Sequence, residues 1–230
     1  MIRAVVRKEL AVLWASPLPY AVAIVFNAVA GVLFVDQLVG RRQAVVQPLF
    51  PIAGFLLVVL VPVLTMRAIA DEERSGTLDV LQSIPVQAAT LVAGKWIGVV
   101  STAAAVVAPC LLMPLLLSWW GDPDWGPVVT GFLGLALVVA ATAAIGLLAS
   151  ACTSAQAVAA IVAMFVGLVL WFAQSTQTAS AAGAVARLSI SDRLHSFAGG
   201  AIDSADAGFF VLITVSALVA ATVCVDARRR

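Results

Sequence analysis

Long uncharged runs alternate with short charged ones along the whole chain. Leu10 to Val35, Gln43 to Met66, Trp96 to Gly121 and Trp125 to Ala186 contain no Asp, Glu, Lys or Arg. A helix crossing a bilayer takes roughly 20 apolar residues, so the first three runs hold one span each and the fourth holds two. Ala207 to Val225 supplies a sixth. The expected spans are about 17–35, 49–66, 91–118, 128–149, 157–172 and 208–225, in one transmembrane domain over residues 1–230. The fold class expected is all-α and polytopic.

Between the spans, helical periodicity marks shorter elements. Residues 2–14 place Ile2, Val6, Leu10 and Leu13 on one helical face, with Arg3, Arg7 and Lys8 opposite and Glu9 following them. That pattern predicts a helix lying in the membrane interface, cations toward the headgroups. Ser16-Pro17 then turns the chain. Asp36 to Gln47 is expected as a loop, and Pro62 as a kink in span 2. Span 3 holds Pro109 and Pro114 and should be bent or tilted. Trp119, Trp120 and Trp125 bracket a tight turn and suit an interfacial belt. Ile190, Leu194, Phe197 and Ala201 recur at helical spacing, with Ser191 as candidate N-cap and Gly199-Gly200 as the stop. They predict a short amphipathic outer helix before span 6, buried in the outer leaflet or against a partner.

Composition agrees: 63% of residues are hydrophobic, 11% are charged and mean hydropathy is +1.09, against about 45–50% apolar in soluble domains. Net charge of +1 argues against a nucleic-acid partner. With both termini cytoplasmic, nine Lys and Arg residues lie inside and four (Arg41, Arg42, Arg187, Arg193) outside, as the positive-inside rule requires. The basic start and Ala28-Val29-Ala30 imitate a signal peptide, but apolar residues continue to Val35, so an uncleaved first span is expected. Cys110, Cys152 and Cys224 lack CxxC spacing and a partner within short reach, and read as small buried hydrophobes. The single His195 cannot build a metal site with a second histidine. Gly94-Lys95 is no phosphate-binding loop, since Ala89 and Trp96 stand where that motif needs Gly and Ser or Thr. Catalytic residues, a metal site and a cofactor site in this chain are not expected. Asn27 is the one amide deep in span 1. Helix–helix hydrogen bonding is its favoured role, with substrate contact along a pathway the alternative.

The polar island from Met66 to Pro85 gathers six charged residues between apolar runs and is expected to reach roughly to Lys95. Leu78 and Leu81 are three apart, and Val80 and Ile84 four apart, so a short helix would collect them on one side. Such a helix protruding from a membrane domain suggests docking onto a soluble partner. A merely solvated loop would account for the charges but leave Leu78, Leu81 and Ile84 exposed.

Arg7-Lys8-Glu9-Leu10 with Ser16-Pro17 and Tyr20 resembles the opening of ABC-2 type transporter permeases, the membrane subunits of ATP-binding-cassette exporters. Met66-Arg67, Ala70-Asp71-Glu72, Arg74-Ser75-Gly76-Thr77-Leu78-Asp79 and Pro85 resemble that family's loop after the second span. Leu188-Ser189, His195-Ser196-Phe197, Gly200-Ala201-Ile202-Asp203 and Asp206 resemble the segment before the last span. In combination they are most similar to the gliding-motility and nitrous-oxide-maturation branch. Asp71 and Asp79 stand where the family more often has Glu. The resemblance implies a multi-pass permease of a prokaryotic cytoplasmic membrane, working with a second permease and two copies of a cytoplasmic ATPase. That partner would bind ATP and Mg. It also implies a coupling helix resting on the ATPase, with Glu72, Arg74, Gly76, Thr77, Leu78, Asp79, Leu81 and Ile84 as docking residues. Thr77 could cap that helix, Asp79 would favour its dipole and Pro85 would end it. A haem-exporter B-like permease is the rival within the class. A membrane scaffold or ATP-independent carrier is the rival outside it, although such a carrier's internal repeats are not visible.

Overall fold

The computed structural model describes residues 2–41, 45–70, 87–119, 121, 123–173 and 188–228. Helix α1 spans Ile2–Ala15. Ser16 turns the chain: its backbone N–H donates to Leu13 O at 3.2 Å, and its hydroxyl accepts from Leu18 N at 3.2 Å. Pro17 sits where no backbone donor is missed. Helix α2 follows over Leu18–Arg41, longer than the span read from the sequence, because it runs on through Asp36. A charge ends the stretch that hydrocarbon tolerates, but it does not break i→i−4 bonding.

Helix α3, Leu49–Thr65, continues through Pro62. Helix α4 spans Ala88–Val107; the chain then tightens into a 3-10 turn at Ala108–Leu111 and resumes as α5, Leu112–Leu117. Pro109 lies in that turn, where its missing N–H interrupts α-helical bonding. Helix α6, Trp125–Cys152, starts at Asp124, whose carboxylate accepts from Gly126 N at 3.1 Å. Helix α7 covers Gln156–Trp171, α8 Ile190–Ala198 and α9 Ser204–Arg228. Among the described residues there is no strand.

Helices α2, α4 with α5, α6 and α9 are long and apolar enough to cross a membrane; α3 and α7 are apolar but shorter, at 17 and 16 residues. The centre is α6, against which α3, α4, α7, α8 and α9 all pack. Its small residues permit this, as is usual between membrane helices. A Cβ at Gly131 would collide with the Phe50 ring, and one at Gly134 would meet Leu194 and Phe197 at 2.9 Å. Outward faces are also apolar: Val32, Val39, Phe165 and Leu212 are each about two-thirds or more exposed. That is an unfavourable surface in water and a natural one in lipid.

Helix α8 differs from expectation in two respects. Its N-cap is Ser189 rather than Ser191: the Ser189 hydroxyl accepts from Asp192 N at 3.3 Å. Its apolar stripe is buried in this chain rather than in lipid or a partner, with Ile190, Leu194 and Phe197 fully buried between α3 and α6. Thr130 Oγ1 donates to Phe197 O at 2.6 Å, tying α8 to the start of α6. The helix ends with Gly200 at φ 88°. There Gly200 N donates to Phe197 O (3.1 Å) and Ala201 N to Ser196 O (3.2 Å), the paired bonds of a left-handed stop. Arg193 then fastens α8 to α9, with Nη1 2.7 Å from Asp206 Oδ1 and the guanidinium 4.1 Å above the Phe209 ring.

Candidate functional site

The docking residues expected from the sequence, Glu72, Arg74, Gly76, Thr77, Leu78, Asp79, Leu81 and Ile84, lie outside the described residues. The structure does describe the root from which that loop leaves the bundle, at the end of α6 opposite α8. After α3 the chain makes a tight turn, with Met66 N donating to Pro62 O (3.0 Å) and Ala68 N to Thr65 O (2.9 Å). Ala68, Ile69 and Ala70 are buried, so their backbone groups need partners other than water. Ser150, near the end of α6, supplies them. Its hydroxyl oxygen accepts from Ile69 N and Ala70 N, both at 3.1 Å, and its proton points to Met66 O at 3.3 Å. Gly146, one turn earlier, makes room: a Cβ there would collide with the Thr65 side chain.

Lys95 reaches the same root from the other side. From the sequence it is expected at the far end of the water-facing polar island. Instead it is 1% exposed in the second turn of α4. Its Nζ donates to Ala68 O at 2.6 Å and to Glu9 Oε1 of α1 at 2.7 Å. Glu9 is itself buried. A charge moves into such a site only with an opposite charge and hydrogen bonds waiting for it, and here both are present. Gly94 and Gly98 flank Lys95 and let α1 approach: added Cβ atoms would come within 2.6 Å of Val5 Cγ1 and 2.9 Å of Glu9 Cβ. Gly94-Lys95, unpromising as a phosphate loop, thus belongs to a helix contact of the small-xxx-small kind.

One junction therefore joins α1, α4, α6 and the loop root. On α1, Arg3, Arg7 and Lys8 are exposed, while Glu9 and Leu13 are buried. Glu9 is the residue of that helix whose role periodicity could not supply. A lysine inside a Gly-xxx-Gly segment, with a lone acid among the cations of the first helix, was the available signal.

Asn27 is half-buried where α2 meets α4. Its Nδ2 donates to Ala23 O (2.8 Å) and to Val106 O on α4 (3.0 Å), and its Oδ1 is 3.6 Å from Cys110 Sγ. Trp96 Nε1 makes a comparable link, donating to Ala140 O on α6 at 3.0 Å. The cysteines depart from expectation. Cys110 is buried, but Cys152 is exposed and its sulfur is 3.5 Å from that of Cys224. Their separation of 72 positions in sequence hid a contact that the pairing of α6 with α9 creates.

The family model described as ABC-2 family transporter protein matches residues 16–198, well over half of the chain. No curated protein matches it.

Proposed function

The chain belongs to the ABC-2 transporter family, and from that premise we propose that it is the permease subunit of an exporter driven by a separate cytoplasmic ATPase. Within the family our reading assigns it to the gliding-motility and nitrous-oxide-maturation branch, on its resemblance to the residues quoted above. As a multi-pass membrane protein it has six spans in this reading, α3 and α7 being the two short ones. Both termini and the loop between α3 and α4 face the cytoplasm of a prokaryotic cell. It pairs with a second permease, the same or related, and carries two ATPase copies, which hold the ATP and Mg. Residues around Ser75 to Ile84 dock on the ATPase, Leu78, Leu81 and Ile84 entering an apolar groove and Glu72, Arg74 and Asp79 staying at its wet rim.

The observation that carries this reading is the Lys95 junction. Force arriving on the loop meets a root hydrogen-bonded to α6 through Ser150, and to α1 and α4 through one ammonium group. Removing one partner from a buried pair typically costs about 3–5 kcal/mol, several times thermal energy, so the junction moves as a unit. ATP-driven closure of the ATPases pushes on the loop and on α1, and the motion passes through this junction to α2, α3 and α7, which pack on α4 or α6, and opens a path outward.

The test is to replace Leu78 and Leu81 together by Asp. Burying two carboxylates in an apolar contact abolishes an ordinary subunit interaction. The variant should insert and accumulate normally, yet lose the ATPase in co-purification and lose transport-linked ATP hydrolysis. Full retention of both would remove the loop as the coupling element.

A further inference from the structure

We infer that Cys152 and Cys224 form a redox-reactive thiol pair, a modification site at which a disulfide reversibly fastens α9 to α6. The sulfurs are 3.5 Å apart. A disulfide needs about 2.05 Å, an approach of about 1.5 Å that side-chain rotation and a slight backbone shift supply. The backbones already lie side by side, because α6 and α9 pack along each other. Access is unequal in a useful way: Cys152 is exposed and Cys224 half-buried. Cys110 is different in kind, buried within the bundle with its sulfur toward Asn27.

The position gives the bond a consequence. Cys152 lies two residues beyond Ser150, the hydroxyl that holds the Ile69 and Ala70 amides. Closing the pair staples α9 to the helix end that grips the loop root, and reduction releases it.

The reactant class is a small-molecule disulfide. The Cys152 thiolate attacks one sulfur of that disulfide. Its S–S bond breaks, one small thiolate leaves, and a mixed disulfide remains on Cys152. The Cys224 thiolate then attacks the Cys152 sulfur and expels the second small thiolate. Two protein thiols are oxidised, one external disulfide is reduced to two thiols, and the two protons from the cysteines go to the leaving thiolates or solvent. This chemistry is independent of which side of the membrane the pair faces. On the cytoplasmic side proposed above, the dithiol is the resting form.

Full-length wild-type protein in detergent micelles is incubated with glutathione disulfide, then denatured in N-ethylmaleimide and weighed intact. The three cysteines should take up one maleimide instead of three, at monomer mass and without retained glutathione. Dithiothreitol should restore three. Cleavage at Met164 should leave the fragments carrying Cys152 and Cys224 joined until they are reduced. In Cys224→Ser, glutathione should stay on Cys152, because no second thiol expels it. The inference is overturned if oxidised protein still takes three maleimides, if the bond runs between two chains, or if Cys110 is a partner. None of these readouts involves an ATPase, so failure here and failure of the exporter reading are distinguishable.

Discussion

Replacing Lys95 by Met tests the loop-root junction with little change in volume. Among the described residues, two partners lose their contact at once. Glu9, 7% exposed, keeps a carboxylate with no cation at 2.7 Å, and Ala68 O loses its donor at 2.6 Å. Breaking a buried pair from one side costs about 3–5 kcal/mol, whereas an exposed pair would contribute at most about 1 kcal/mol. For a chain of this size each kcal/mol lowers the melting midpoint by about 2–4 °C, so a drop on the order of 10 °C is expected for K95M. Glu9→Gln in the same background removes the stranded charge. The double variant should therefore recover about 2 kcal/mol relative to K95M alone, a coupling within the range seen for contacting groups. Tryptophan fluorescence during heating in detergent reads both, with six tryptophans as reporters. A K95M midpoint within a few degrees of wild type would refute the buried-pair reasoning. So would a double variant as unstable as the sum of the two singles.

Gly146→Leu forces a side chain into Thr65 and should destabilise by about 1–3 kcal/mol through overpacking, read in the same melting assay. Thr65→Ala should recover part of that loss. Leu194→Ala empties a fully buried position between α3 and α6 and should cost about 2–5 kcal/mol, with a cavity left beside Gly54. A change under 1 kcal/mol would mean that α8 is not held in the bundle. For topology, single cysteines at Ser75 and Asp122 in a cysteine-free background should react with an impermeant maleimide from opposite sides, and labelling of both from outside would overturn the six-span arrangement.

What was legible in the sequence was legible because hydrocarbon enforces it. A stretch of roughly 20 residues without charge has few alternatives to a helix, so the four long helices were legible from composition and length, as spans at about 17–35, 91–118, 128–149 and 208–225. Local chemistry was legible too: the Ser16-Pro17 turn and the glycine stop of α8 depend on residues a few positions apart. Ends were less so, as α2 shows, because a charge marks the edge of the membrane and not the edge of a helix.

Partnerships between distant residues could not be read this way. Glu9 and Lys95 are 86 positions apart and Cys152 and Cys224 are 72 apart. In sequence the first pair looked like solvated charges and the second like inert core thiols. The tertiary structure decided otherwise, because Gly94 and Gly98 let α1 close on α4, and the packing of α6 with α9 brings two sulfurs together. It also decided the fate of the α8 stripe: two glycines, Gly54 and Gly134, open a slot that takes Leu194. Period and hydropathy state which face of a helix must be buried. Only the shapes of the neighbouring helices determine what buries it.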